Sequence, residues 1–287
     1  MKLIYCLTAA LVVSMTAYAQ DTPEKEKRKA LNISLNTESG LKVDKEEGDD
    51  VKEGVYATTK NDTTKKRTEN KFDFTFAVVD VGINSLQDKT DYSSAEARNF
   101  LNVPANMKNE QLFSLRSGKS WNVNVWPFMF KARLAKSKYQ KVYVSSGVGL
   151  QMYNFRFNKD ISYLNNTTPE VYLDSVDFSK NKLGFTYLSV PLSLTLKTKV
   201  AKGTWLVYGA GVTGGYRLSS WTKQESGLRG KQKNHDAFNF NDFNACVTGE
   251  LGISGIFRIY ATYQLTPLHS TALAQYPLSI GLRFGGV

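Results

Sequence analysis

Tyr187-Leu188-Ser189-Val190-Pro191-Leu192-Ser193-Leu194-Thr195-Leu196-Lys197 alternates with a period of two. Successive side chains of an extended strand point to opposite faces, so Leu188, Val190, Leu192, Leu194 and Leu196 make one wholly apolar face. Ser189, Ser193, Thr195 and Lys197 lie on the other. A strand face bathed in water usually carries Lys and Glu. Small neutral polar residues instead suit a crowded interior, which leaves the leucines to face outward.

The same design recurs. Val142, Val144, Val148, Leu150 and Met152 oppose Tyr143, Ser145, Gly147, Gly149 and Gln151. Further on, the apolar parity is carried by Val247, Leu251 and Ile253, then by Ile259, Ala261, Tyr263 and Leu265, then by Leu278, Ile280, Leu282 and Phe284. Eight strand-like segments can be placed, at about 72–86, 121–135, 141–157, 183–198, 204–221, 242–254, 257–268 and 276–284. Their connections alternate between short turns and long polar loops. That rhythm, with an even strand number, is the plan of an outer-membrane barrel. The expected fold is all-β: an eight-stranded antiparallel up-and-down transmembrane β-barrel over 72–287, behind a disordered N-terminal segment.

The remaining chain divides simply. Residues 1–19 combine Lys2, an apolar run and Ala17-Tyr18-Ala19, the pattern of a secretory signal peptide cut before Gln20. Residues 20–71 have no hydrophobic period, and 21–71 carry 12 Lys/Arg against 12 Asp/Glu, so they read as a disordered periplasmic tether. The net charge of +11 is concentrated at Lys131, Arg133, Lys136, Lys138 and Lys141 around one short turn and at Lys197, Lys199 and Lys202 around the next. An excess on two turns at one end fits a periplasmic rim against anionic headgroups, not a nucleic-acid surface.

Two cysteines, Cys6 and Cys246, exclude a disulfide framework, and no Cys/His spacing suits a metal, so neither metal nor cofactor is expected. Gly209-Ala210-Gly211-Val212-Thr213-Gly214 matches a dinucleotide fingerprint, but no helix pattern follows it. Glycine there fits close strand approach in a tight barrel. Glu250, Arg258 and Arg283 fall on the polar parity of consecutive strands and are expected to pair inside the lumen as a structural charge network. Aromatic girdles are expected at Trp121, Phe155, Phe157, Tyr216, Trp221 and Phe243 near the long loops, and at Phe130, Tyr143, Trp205, Tyr208, Phe257 and Phe284 near the short turns. His235 and His269, beside Asp236 and Ser270, read as solvent-exposed loop histidines; no catalytic residue is assigned.

Ser120-Trp121-Asn122-Val123-Asn124-Val125-Trp126-Pro127, Tyr187-Leu188-x-Val190-Pro191-Leu192, Lys233-Asn234-His235-Asp236-Ala237-Phe238-Asn239-Phe240 and Tyr276-Pro277-x-Ser279-Ile280-Gly281-Leu282-Arg283-Phe284 resemble PorT-type outer-membrane barrel proteins of Bacteroidetes. The resemblance covers most of 72–284. It implies an OmpA/OmpX-like eight-stranded barrel in the cell outer membrane, inserted by the outer-membrane assembly machinery through a terminal aromatic strand. The expected function is non-enzymatic: a barrel with a filled polar lumen acting in envelope structure, adhesion or accessory assembly. Its expected partners are outer-membrane lipids and lipopolysaccharide, the assembly machinery and envelope proteins. A narrow channel or small-ligand transporter, a rim lipid hydrolase or protease, and a soluble lipocalin-like binder are the alternatives.

Overall fold

In the computed structural model, residues 71–165 and 169–285 are described in full, and the backbone alone at 31–36 and 40–45. The signal-peptide reading of 1–19 lies outside the described residues, as does most of the 20–71 segment. Within the latter, β1 (Leu31–Asn36) and β2 (Gly40–Lys45) pair as an antiparallel hairpin. The reason is in the sequence: Leu31, Ile33, Leu35, Leu41 and Val43 alternate, but over runs too short to stand out among the charges.

The barrel is built from β3 (Phe72–Asp88), β5 (Trp121–Lys136), β6 (Gln140–Arg156), β9 (Lys180–Ala201), β10 (Thr204–Ser226), β12 (Phe243–Ile253), β13 (Arg258–Gln264) and β14 (Gln275–Phe284). Each pairs antiparallel with the next, and β14 pairs with β3, so the ring of eight closes and leaves no open edge. The β5–β6, β9–β10 and β12–β13 connections are tight. Gly203 and Gly255 take positive φ (83° and 85°) at two of them, a conformation that a side chain would strain. The start of β3 and the end of β14 lie at this same end.

The four long connections fold at the other end. They carry α1 (Ala95–Phe100), capped by Ser94 Oγ, which accepts from the Ala97 amide at 3.2 Å. They also hold a small sheet in which β4 (Leu101–Asn102) runs parallel to β8 (Glu170–Leu173), itself antiparallel to β7 (Ile161–Leu164). β11 (Gly230–His235) pairs along the outer end of β10.

The facing of the strands follows the alternation. On β9, Val190 and Leu192 are about half exposed (54% and 53%) while Ser189 between its apolar neighbours is fully buried. One local event breaks strict alternation. Phe72, Phe74 and Phe76 all face outward, yet Val78 and Asp80, of the same parity, face inward. Between them Ala77 has φ 59°, and it lies against the partner strand at Pro127, between the Phe76–Phe128 and Val78–Trp126 pairs. Pro127 has no N–H to give the ladder, so the irregularity costs little pairing there. Both strands change facing at this point. The result is an outer cluster of Phe72, Phe74, Phe76, Phe128 and Phe130 at the short-turn end, with ring centroids 5.3–5.9 Å apart.

Candidate functional site

Two chemically distinct layers fill the barrel. Toward the short turns lies an ion-pair network. Arg283 on β14 is directly opposite Asp80 on β3 and grips its carboxylate with two hydrogen bonds, Nε to Oδ1 at 2.6 Å and Nη2 to Oδ2 at 2.9 Å. Arg258 on β13 is directly opposite Arg283, a like-charge pair that Glu250 on β12 neutralises: its Oε2 accepts from Arg258 Nη1 at 2.8 Å and from Arg283 Nη1 at 3.0 Å. Thr195 donates to the other Glu250 oxygen at 3.1 Å. Asn124 Nδ2 and Trp126 Nε1 donate to Asp80 Oδ2 at 3.1 and 2.9 Å, and Arg258 Nη2 also reaches the Gly285 carbonyl.

The structure therefore brings Glu250, Arg258 and Arg283 together. It adds Asp80, which the sequence reading missed and which balances two guanidiniums with two carboxylates. The signal was present, since Asp80, Gly82 and Asn84 share one parity; the facing change at Ala77 hid it. A buried ion pair survives only when its remaining hydrogen-bonding capacity is met, and here nearly every oxygen and guanidinium nitrogen has a partner. Such a network fixes register. It offers no unpaired acid or base for chemistry. Two voids beside it have volumes of about 30 Å³ each, room for little more than a water or two.

Toward the long loops an apolar core is added to the polar filling. Tyr153, Phe155, Leu183, Phe185 and Tyr187 continue the inward parity of β6 and β9. They pack against Phe100, Leu101, Leu112, Phe113, Phe238, Phe240 and Leu268 from the loops. Phe155 and Phe157 are thus core residues and not girdle residues, and Tyr143 is likewise buried inside near the other end. Position along a strand suggested the girdle; parity decides the facing. Trp121, Tyr216 and Phe243 do face outward, as do Phe257 and Phe284.

His269 is another correction, being buried in this aromatic layer and not solvated. Its ring lies 4.6 Å from that of Phe240 and 5.6 Å from that of Phe100, and among the described residues neither nitrogen has a hydrogen-bond partner. Burial pushes its pKa down to about 3, against an opposing pull from Asp88. The ring is neutral at any physiological pH. Tyr163 beside it has its pKa raised by burial in the same way. His235 is exposed on β11, with Nδ1 3.4 Å from Ser219 Oγ, so the two histidines occupy separate sites. Gly209 and Gly211 lie within β10, where a side chain on either would press on the β9 backbone. Among the described residues no cluster of three His, Cys, Asp or Glu could hold a metal.

No family model and no curated protein matches the chain. Among solved structures, it is similar to the crystal structure of Ail, the attachment invasion locus protein of Yersinia pestis, at 9% identity and a TM-score of 0.25, over 74% of this chain and 98% of that one. The structure of Ail in complex with the heparin analogue sucrose octasulfate matches with the same values.

Proposed function

We propose that this chain is an integral outer-membrane barrel with a filled lumen, whose work is done by its loop-covered end in envelope structure, adhesion or accessory assembly, without catalysis. The observation that carries this reading is an inverted distribution of polarity. Leu188, Val190, Leu192, Leu194, Val212, Leu251, Ile259 and Ile280 face outward around the ring, while Asp80, Asn122, Asn124, Gln151 and Arg258 are buried inside it. In water such a wall would expose an apolar patch far beyond what soluble proteins tolerate. In hydrocarbon it is matched, because a closed ring satisfies every backbone group internally.

Orientation follows from the loops. The short basic turns face the periplasm and the long connections face outside. A closed interior argues against conduction: ion pairs and buried amides and hydroxyls fill it toward the short turns, and an aromatic and aliphatic core fills it toward the long loops. Burial of the His269 ring away from solvent argues against a rim hydrolase built on it. The resemblance to PorT-type barrels and insertion by the outer-membrane assembly machinery are further parts of this proposal.

The test is cell fractionation followed by gel mobility with and without boiling. The protein is expected in the outer-membrane fraction, migrating differently until heated, and giving no reproducible conductance step in planar bilayers. Recovery in a soluble fraction, with mobility unaffected by heating, would overturn the reading.

A further inference from the structure

The strand register aligns side chains on the outer wall into rungs that can be read upward from the apolar belt. Leu150, Leu188, Tyr216 and Phe243 lie directly opposite one another on β6, β9, β10 and β12. Higher on the same face, Trp121, Asn154, Gly184, Trp221 and His235 form a second rung, with the Trp221 ring lying across Gly184. Immediately above comes a rung of four cations: Arg156 opposite Lys182, Lys182 opposite Lys223, Lys223 opposite Lys233.

Directly opposed residues have Cβ atoms only about 4.5–5.5 Å apart, and like charges so placed destabilise a sheet. Among the described residues nothing nearby compensates fully. Glu225, in the next rung between Lys180 and Lys231, is 2.8 Å from Lys180 and 3.4 Å from Lys223. It is one carboxylate among six cations. Lys182 makes no ion pair or hydrogen bond among the described residues. Burial, with Lys180, Arg156 and Lys223 beside it, lowers its pKa. Arg156 spends Nη2 on the Ser179 carbonyl at 2.8 Å and leaves Nε buried without a partner among the described residues. Lys233 is held over the Trp221 ring at 4.9 Å.

The height of the rung selects the ligand. Lys182 is six residues beyond Leu188, about 20 Å along the strand and about 15 Å along the membrane normal at the usual tilt. That is above the hydrocarbon edge and within reach of the sugar layer of the outer leaflet. We propose that Arg156, Lys182, Lys223 and Lys233 form a docking row for the phosphate and carboxylate groups of lipopolysaccharide packed against the barrel wall. This rests on the membrane placement proposed above.

The test uses the full chain inserted into bilayer discs with lipopolysaccharide, with phosphatidylglycerol at equal charge, or with neutral lipid only. A variant carrying Arg156→Gln, Lys182→Gln, Lys223→Gln and Lys233→Gln is compared with wild type and with a control, Lys138→Gln/Lys202→Gln, at the opposite end. The row variant should retain at least tenfold less lipopolysaccharide after purification, with the control unchanged. In neutral lipid it should need as high a temperature to lose its heat-sensitive mobility as wild type, or higher, because a repulsive row has been removed. With lipopolysaccharide the order should reverse. Equal retention by the row variant, equal stabilisation by phosphatidylglycerol, or capture of soluble heparin without preference for lipopolysaccharide would overturn the proposal. Failure of wild type to enter any bilayer would instead overturn the membrane placement.

Discussion

Tyr260 on β13 donates a 2.7 Å hydrogen bond to Asn122 Oδ1 on β5, although β14 and β3 stand between them in the ring. The row reads Tyr260, Gly281, Gly82, Asn122, each directly opposite the next. Two glycines clear the floor over which the phenol lies, and its hydroxyl closes the gap on the far side. A Cβ at Gly82 would meet the Tyr260 hydroxyl, and one at Gly281 would meet the β3 backbone. Asn122 passes the connection on, its Nδ2 donating to Asn124 Oδ1 at 2.9 Å and Asn124 in turn to Asp80.

Gly82→Val is therefore expected to displace Tyr260 and destabilise the barrel by about 1–3 kcal/mol through overpacking. Tyr260→Phe should cost about 1–3 kcal/mol by leaving Asn122 Oδ1 buried and unpaired. The double variant should cost less than the sum, since both break the same contact. Urea unfolding in detergent micelles measures all three; strict additivity would contradict the shared row.

Asp80→Asn leaves two guanidiniums sharing one carboxylate. The expected loss is about 3–5 kcal/mol, seen as a lower urea midpoint. Adding Arg283→Met removes the stranded charge and should recover part of it. A single variant as stable as wild type would show that the network contributes nothing to the fold.

Ala77 holds a backbone conformation that a β-branched residue strongly disfavours. Ala77→Val is expected to destabilise by about 1–3 kcal/mol, whereas Val79→Ile, two residues along the same strand, should be near neutral. If the two substitutions are equally tolerated in thermal melts, the facing change does not depend on that residue.

His269 links the loop layer to pH. Its pKa is about 3 when folded, against about 6.5 in an unfolded chain. Between those values the unfolded form binds the proton and the folded form does not, so stability falls as pH drops from about 6.5 toward 3. The full effect is on the order of 5 kcal/mol. His269→Phe should remove this dependence. Hydrogen exchange in the loops at pH 7 and pH 4.5 reads it directly: wild type should open more at the lower pH, and the variant should change less.

The number and approximate position of the eight strands were legible because an apolar face repeats at every second residue, and the alternation of short and long connections gave their order. Glu250, Arg258 and Arg283 could be picked out for the same reason: a charge on the parity that avoids charge is conspicuous. Asp80 was not, because the facing change at Ala77 and Pro127 resets the count within a strand. The loops misled further. Phe100, Leu112, Phe113, Phe238 and Phe240 are isolated in polar stretches and show no period, so their common core appears only when four connections converge on one mouth.

The sequence by itself determined that the strands have a period of two, polar on one side and apolar on the other, because local stereochemistry fixes which side chains share a face. Only the tertiary structure decided which residues stand opposite one another. Register is a long-range property, set jointly by bulges, turn lengths and side-chain fit around the whole ring. That is why the Tyr260–Asn122 contact, the four-residue charge network and the row of cations from Arg156 to Lys233 each draw on strands far apart in the chain.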